Sequence, residues 1–276
     1  MSTIDSVERP RFLPNPDRLS IIAATIMLAY ASTNFINLPS RTLGLQLPSF
    51  YLAVNINVRT VIALIVAGLT ATGADWLLND HPALQGKRTF QHWLLPALTA
   101  LVIGIPLYLL PFSTQWLVAF ALGGALLMLV LVAEYIAVDP EDTRYSIASA
   151  GLTAVSFAIF LVLAIALRSA GIRLFLTLPA LTLASLLVVL RTLNLRLGGL
   201  WAILLSLALA LIIAQIAAGL NYLPLSPTKY GLALIGPAYA LTTFVGNMVE
   251  GIPFRRAIIG PVLVLMIVWG AALWIP

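Results

Sequence analysis

Four polar residues close to the ends of three apolar segments are the main candidates for chemistry in this sequence. Asp75, Glu134 and Glu250 each lie in the last turn of a predicted membrane-spanning helix. Asn247 precedes Glu250 by three residues and therefore shares its helix face. Carboxylate and amide oxygens can hold Mg²⁺ beside a phosphate-bearing lipid, or can bind a cationic solute. We therefore predict that these four residues form a polar site at one rim of a helix bundle.

Ion pairing at the rim is the alternative interpretation of the same acids. Each acid lies at the negative end of its helix dipole, which costs typically about 0.3–1 kcal/mol. Glu134 lies about 6 Å inside its predicted helix end, so it has the greatest need of a partner. The predicted charge partners at this rim are His92, Arg144, Arg191, Arg196 and Arg255.

The sequence predicts no metal site and no cofactor. In the run DWLLNDHP, residues 75–82, no second histidine follows His81 at a metal-ligand spacing, so a capped, solvated turn is favoured. The chain has no cysteine, which removes thiolate catalysis and cysteine metal sites. Phosphate-binding-loop, His-Glu-x-x-His and Gly-x-Ser-x-Gly motifs are also missing from the sequence. The sequence leaves enzyme activity open but favours a protein without it.

The composition places these residues in a membrane protein. Of 276 residues, 61% are hydrophobic and 9% charged, and the mean hydropathy is +1.03. Soluble domains carry about 25% charged residues, so this chain has too much apolar surface for a soluble core. Its apolar runs are long and do not alternate in polarity, which favours helices over a transmembrane barrel. The predicted fold class is an all-α, polytopic transmembrane bundle.

The apolar runs predict about nine spans, within a range of eight to ten. They lie near residues 19–38, 58–78, 93–112, 115–138, 147–168, 173–191, 198–220, 229–250 and 257–275. Residues 1–18 form a short polar tail, and residues 19–276 form one transmembrane domain without a soluble domain. The mixed segment 39–57 is either interfacial or re-entrant.

The basic residues predict the orientation. In this topology ten of the fifteen Lys and Arg residues lie on the side of the N-terminus: Arg9, Arg11, Arg18, Lys87, Arg88, Arg144, Arg191, Arg196, Arg255 and Arg256. By the positive-inside rule the N-terminus is cytoplasmic and the C-terminus is outside, in a bacterial cell (inner) membrane. The net charge of +5 reflects this bias, so no nucleic-acid partner is expected.

Two proline positions have predicted local roles. Gly236 and Pro237 lie inside the eighth span, where proline removes a backbone donor and kinks a helix. Asp139 and Pro140 suit the N-cap and first position of the fifth helix. A kinked helix is found at some transporter sites, whereas the Asp139–Pro140 pair indicates only a helix joint.

Three classes of function fit these features. Neutral span interiors and the predicted kink favour a transporter, a permease-like protein or a channel component for a neutral or lipophilic molecule. Short loops and stripes of small residues suit a structural or assembly subunit of a larger membrane complex equally well. The rim acids suit an intramembrane enzyme that processes a lipid. The expected partners are the lipid bilayer and either other membrane subunits or further copies of this chain.

Overall fold

Helices dominate the structure, as the apolar runs predict. The computed structural model describes residues 13–33, 41–47, 50–56, 58–84 and 89–274, and nine α-helices form within these ranges. They are α1 (Pro16–Ser32), α2 (Val58–Leu78), α3 (Leu94–Leu109), α4 (Thr114–Ile136), α5 (Tyr145–Ser169), α6 (Leu174–Arg196), α7 (Ile203–Asn221), α8 (Pro227–Val249) and α9 (Phe254–Trp274). The predicted all-α membrane bundle is confirmed.

Eight of the nine described helices are long and apolar enough to cross a membrane: α2, α4 to α9, and α3 when the short 3₁₀ turn Phe90–His92 before it is included. The first, α1, has 17 residues. At 1.5 Å per residue it is about 26 Å long, slightly less than the hydrocarbon thickness of roughly 30 Å. It begins inside the predicted tail, because the Asn15 side chain accepts the Asp17 N–H at 2.9 Å and caps the helix. Residues 1–12 of that tail lie outside the described residues.

A β-hairpin lies between α1 and α2, in the segment predicted to be interfacial or re-entrant. Strands β1 (Arg41–Leu47) and β2 (Phe50–Ile56) pair antiparallel, with Leu47 opposite Phe50 and Arg41 opposite Ile56. Such pairing joins the backbone N–H and C=O groups of the two strands. The sequence does not indicate these strands, because the segment is mixed in polarity over its whole length. Residues 39, 40, 48, 49 and 57 lie outside the described part.

The helices form two groups that meet along one seam. Buried residues of α1 to α4, including Tyr30 and Leu127, form the core of the first group. Those of α5 to α8, including Phe160 and Leu234, form the core of the second. A third cluster, which includes Val130 of α4, joins α3 and α4 to α5 and α6. We call this contact zone of α3, α4, α5 and α6 the seam.

Gly236 and Pro237, at the predicted kink, take part in a contact between α8 and α9. Helix α8 continues past both residues. Because Pro237 has no N–H, the carbonyl of Ala233 loses its helical partner. The indole Nε1–H of Trp269 on α9 donates to that carbonyl at 3.1 Å. A Cβ on Gly236 would lie 3.0 Å from Leu265, so the glycine allows α9 to pack closely. Gly236 and Pro237 thus hold α9 against α8.

The predicted start of the fifth helix is wrong by several residues. Asp139 accepts the Glu141 N–H at 3.0 Å, but the segment after Pro140 forms turns, and α5 begins at Tyr145. Asp142 instead accepts the backbone N–H of Arg144 at 2.8 Å and pairs with its guanidinium at 2.7 Å. The guanidinium lowers the pKa of Asp142 below its ordinary value. Asp142 therefore binds within its own turn, and α5 begins three residues after it.

Candidate functional site

Glu134 is bound by an arginine from across the seam. It lies in the last turn of α4, and its side chain is 1% exposed. Arg191 of α6, 2% exposed, donates from Nε to Oε1 of Glu134 at 3.1 Å and from Nη2 to Oε2. This bidentate pair is the geometry in which Arg binds a carboxylate most strongly. Arg191 is one of the five residues named above as possible charge partners of the rim acids.

His92 is the second partner of Glu134. It ends the short 3₁₀ turn Phe90–His92 that precedes α3, and its ring is buried. Its Nδ1 lies 2.8 Å from Oε2 of Glu134, while Nε2 lies 3.2 Å from the amide nitrogen of Gln91. Nη2 of Arg191, which donates to the same Oε2, lies 3.1 Å from Nδ1 of His92, so the three side chains are in mutual contact.

Asn194 closes these contacts into a ring. Nη1 of Arg191 donates to Oδ1 of Asn194 at 2.8 Å, and Nδ2 of Asn194 donates to Oε1 of Gln91 at 3.2 Å. Gln91, His92, Glu134, Arg191 and Asn194, which we call the buried ring, thus join the approach to α3 with α4 and α6. Removing two charges from water costs several kcal/mol per ion, and the hydrogen bonds of the ring offset part of that cost.

A polar cavity of about 220 Å³ lies beside the buried ring. His92, Arg191 and Asn194 form part of its wall, whereas Glu134 does not line it. The loop after α4 and the turn after α6 complete the wall. In that turn Gly198 and Gly199 have φ values of +62° and +91°, and Gly199 N–H donates to the Asn194 carbonyl at 2.8 Å. Left-handed glycines end α6 here and leave the cavity open.

Glu250 and Asn247 share a different arginine. Arg196 of α6 donates from Nε and Nη2 to the two carboxylate oxygens of Glu250, each at 2.9 Å. The same Nη2 donates to Oδ1 of Asn247 at 2.8 Å, and Nη1 donates to the Thr243 carbonyl at 3.1 Å. These bonds join α6 to α8, and the pair is about a quarter to a third exposed. Arg196 is another of the residues named above as possible charge partners of the rim acids.

Asp75 belongs to a third contact group. It accepts hydrogen bonds from the Thr89 hydroxyl and, at 3.2 Å, from the Asn79 amide. Arg144 binds Asp142, and Arg255 is exposed at the start of α9. The contacts therefore distribute the four predicted site residues over three groups, and among the described residues only Asn247 and Glu250 share a partner.

Two members of the buried ring were not predicted. Gln91 and Asn194 are uncharged, so a search for charged side chains near span ends passes over them. Their positions carry a weak signal, because Gln91 adjoins His92 and Asn194 follows Arg191 by three residues on the same helix face.

An apolar groove runs along the rest of the seam. One cavity of about 300 Å³ lies among α3, α4 and α5, and a second of about 680 Å³ lies between the C-terminal halves of α3 and α5. The two cavities share Pro106 and Val162 in their walls and are therefore adjacent, and together we call them the groove. Leu109 and Leu122 in its walls are 76% and 66% exposed, so the groove opens to the outer surface of the bundle.

An apolar helical bundle whose buried charges are internally paired is a multi-pass integral membrane protein. Within that class, the chain belongs to the DUF5656 family, described as a protein of unknown function, whose model matches residues 38–275. No curated protein and no solved structure matches the chain.

Proposed function

We propose that this protein is a permease-like carrier of a lipophilic molecule, which occupies the groove between its two helix groups. One observation carries the proposal. The seam is held together by the buried ring at one end, and it is open along the groove from its middle to its other end. A carrier needs such an asymmetry, because it exposes its site on one side while the other side is closed.

The buried ring and the groove lie at different positions along α3. The ring contacts lie just before α3 begins at Leu94, and the groove runs from Thr99 to Leu109 near its C-terminus. Those ten residues correspond to about 15 Å of helix. The cluster around Val130 joins the two helix groups between the ring and the groove. In this proposal the two groups rotate about that cluster when the groove opens and closes.

The chemistry of the groove suits a hydrocarbon. Its walls are built mainly of aliphatic side chains, and the Thr99 hydroxyl already donates to the Leu95 carbonyl at 2.7 Å. A bound polar group would find few partners there, and burying a polar group without a hydrogen bond costs roughly 1–3 kcal/mol. The occupant is therefore the hydrocarbon part of a lipophilic molecule.

Native mass spectrometry of the protein purified in mild detergent tests the proposal. The test variant is Val162→Trp, because Val162 lies in the wall of both parts of the groove and a tryptophan fills it. Val262→Trp on α9 is the matched control, since Val162 and Val262 are 39% and 43% exposed. We expect a retained lipophilic molecule on the wild type and on V262W, and its loss from V162W.

Two outcomes would overturn the proposal. Retention of the same molecules by V162W and the wild type would place them on the general lipid-facing surface. A wild-type chain that carries no lipophilic molecule and instead retains other proteins at fixed stoichiometry would favour an assembly subunit. The third class, a lipid-processing enzyme, would be favoured by chemical conversion of an added lipid that depends on Glu134 or Glu250.

A further inference from the structure

We infer that the polar cavity beside the buried ring binds one anionic oxygen group, a carboxylate or a phosphate. This site lies at the opposite end of the seam from the open end of the groove, and the inference does not depend on the proposed carrier function. Arg191, which is 2% exposed, is the cation in the cavity wall.

The orientation of the ion pair gives the cavity its polarity. Arg191 and His92 both face the cavity, while Glu134 is bound behind them and forms no part of its wall. A buried pair in this orientation presents its positive end to the cavity, and the low dielectric around it strengthens the field there. An oxyanion is the ligand group that such a field favours.

Arg191 also has hydrogen-bonding capacity left for a ligand. Its Nη1 carries two N–H groups, and within the part of the chain that the structure describes its acceptor is Oδ1 of Asn194. One N–H of Nη1 thus remains for an oxygen in the cavity. Arginine is well suited to carboxylate and phosphate recognition, because its planar guanidinium donates several bonds in a fixed geometry.

The acids on the neighbouring loop do not cancel this preference. Asp139 accepts the Glu141 N–H at 3.0 Å, and Asp142 is paired with Arg144 at 2.7 Å. Neither acid lines the cavity, although Pro140 between them does. The negative groups nearest to the cavity mouth are therefore engaged in their own contacts.

The size and place of the cavity define the ligand further. A volume of about 220 Å³ equals roughly seven waters at 30 Å³ each, which accommodates a phosphate or carboxylate with some of its hydration. The cavity lies at the ends of membrane-spanning helices, and lipid phosphates lie outside the hydrocarbon core that such helices cross. The anion thus comes either from a lipid headgroup or from a small solute.

Thermal unfolding of the purified full chain in neutral detergent tests the inference. The probes are inorganic phosphate, acetate, dioctanoyl phosphatidic acid and, as a neutral control, dioctanoylglycerol. The test variant is the double substitution Glu134→Gln with Arg191→Gln, which removes both charges together and leaves none unpaired. The matched control, Arg196→Gln with Glu250→Gln, removes the neighbouring ion pair of α6, which does not line the cavity.

We expect at least one anionic probe to raise the unfolding temperature of the wild type and of the control. The apparent Kd of that probe should be at least tenfold higher for E134Q/R191Q than for the wild type. A preference for phosphatidic acid over the small anions identifies a headgroup, and equal binding of phosphate or acetate identifies a solute. Equal stabilisation by dioctanoylglycerol, or equal anion binding by E134Q/R191Q and the wild type, would overturn the inference.

A second variant keeps the test decisive if the double substitution prevents folding. Asn194→Asp conserves the size of the side chain and still accepts from Arg191, but it adds a negative charge to the cavity wall. We expect tenfold or greater weakening of anion binding by N194D, while unchanged binding would contradict the site.

Discussion

Arg191 and Glu134 lie 57 residues apart in sequence and form a bidentate pair that joins the two helix groups. Both side chains are excluded from solvent; His92 also contacts Glu134, Asn194 accepts from Arg191, and Gln91 contacts both His92 and Asn194. The pair therefore fixes one end of the seam, whereas the other end has mainly apolar side chains around an open groove.

Breaking the pair from one side should destabilise the protein strongly. Glu134→Ala leaves the Arg191 guanidinium buried without its counter-ion, which costs about 3–5 kcal/mol. E134Q/R191Q removes both charges, and its cost should be about 1 kcal/mol, since amides can replace part of the hydrogen bonding. The free energy of unfolding in a detergent titration measures both. Equal costs for the single and the double variant would show that the charges are not coupled.

Gly246→Ala should weaken the second ion pair. A Cβ at this position would lie 2.6 Å from Nη1 of Arg196, so the guanidinium must move and lose bonds to Thr243 or Glu250. We expect a loss of about 1–2 kcal/mol, the usual worth of hydrogen bonds to a charged group. Gly151→Ala on α5 is the control, because a Cβ there meets no atom within 4 Å. The control should be neutral or more stable, and destabilisation of both variants alike would rule out displacement of Arg196.

The contact of α9 with α8 should depend on Trp269 only while Pro237 is present. Trp269→Phe leaves the Ala233 carbonyl without a donor, at a cost of about 1–2 kcal/mol. Pro237→Ala restores a backbone N–H that can donate to the same carbonyl. In that background the W269F substitution should cost clearly less, which a double-mutant cycle of unfolding free energies measures. Additive effects would mean that the indole does not replace the missing helical bond.

His81 should make the protein less stable in mild acid. Its ring is buried against Tyr135, and Nδ1 accepts the Ala83 N–H at 3.2 Å, which requires that nitrogen to be unprotonated. Burial lowers the pKa of His81, although Asp139 and Asp142 oppose the shift. Its contribution to stability is thus complete above the unfolded-state pKa of about 6.5 and is lost as the pH falls below it.

Thermal unfolding at about pH 7.5 and about pH 5.5 measures this effect. His81→Gln keeps an acceptor for the Ala83 N–H but does not titrate, so its unfolding temperature should fall less between the two pH values than that of the wild type. His92 is present in both proteins, and the difference between them isolates His81. Equal falls would contradict a role for His81.

The sequence predicted the helices well because its apolar runs are long and are separated by short polar joints. Each predicted span overlaps an observed helix, and the interval predicted for α2, 58–78, coincides with Val58–Leu78. The need of Glu134 for a cation could also be inferred, since it lies inside a helix end against the dipole. Whether Arg144, Arg191 or another residue met that need depends on how α4 and α6 pack, which periodicity does not determine.

The remaining features depend on contacts between distant segments. Gln91 and Asn194 become part of the ring only because the approach to α3 meets α6, across a separation of 103 residues. The division of Asp75, Glu134 and Glu250 among three groups follows from the packing of neighbouring helices, although all three acids occupy similar positions along their own helices. The groove, likewise, lies between the C-terminal halves of α3 and α5, which are distant in sequence.

The most direct test of the carrier proposal measures the width of the open end of the seam when the closed end is released. The chain has no cysteine, so spin labels at Leu109→Cys and Ala170→Cys report the distance across the groove by pulsed electron paramagnetic resonance. With E134Q/R191Q in place, we predict a shift of the distance distribution toward a narrower groove, and no shift with R196Q/E250Q. An identical distribution in the wild type and both variants would contradict a seam that opens and closes between the ring and the groove.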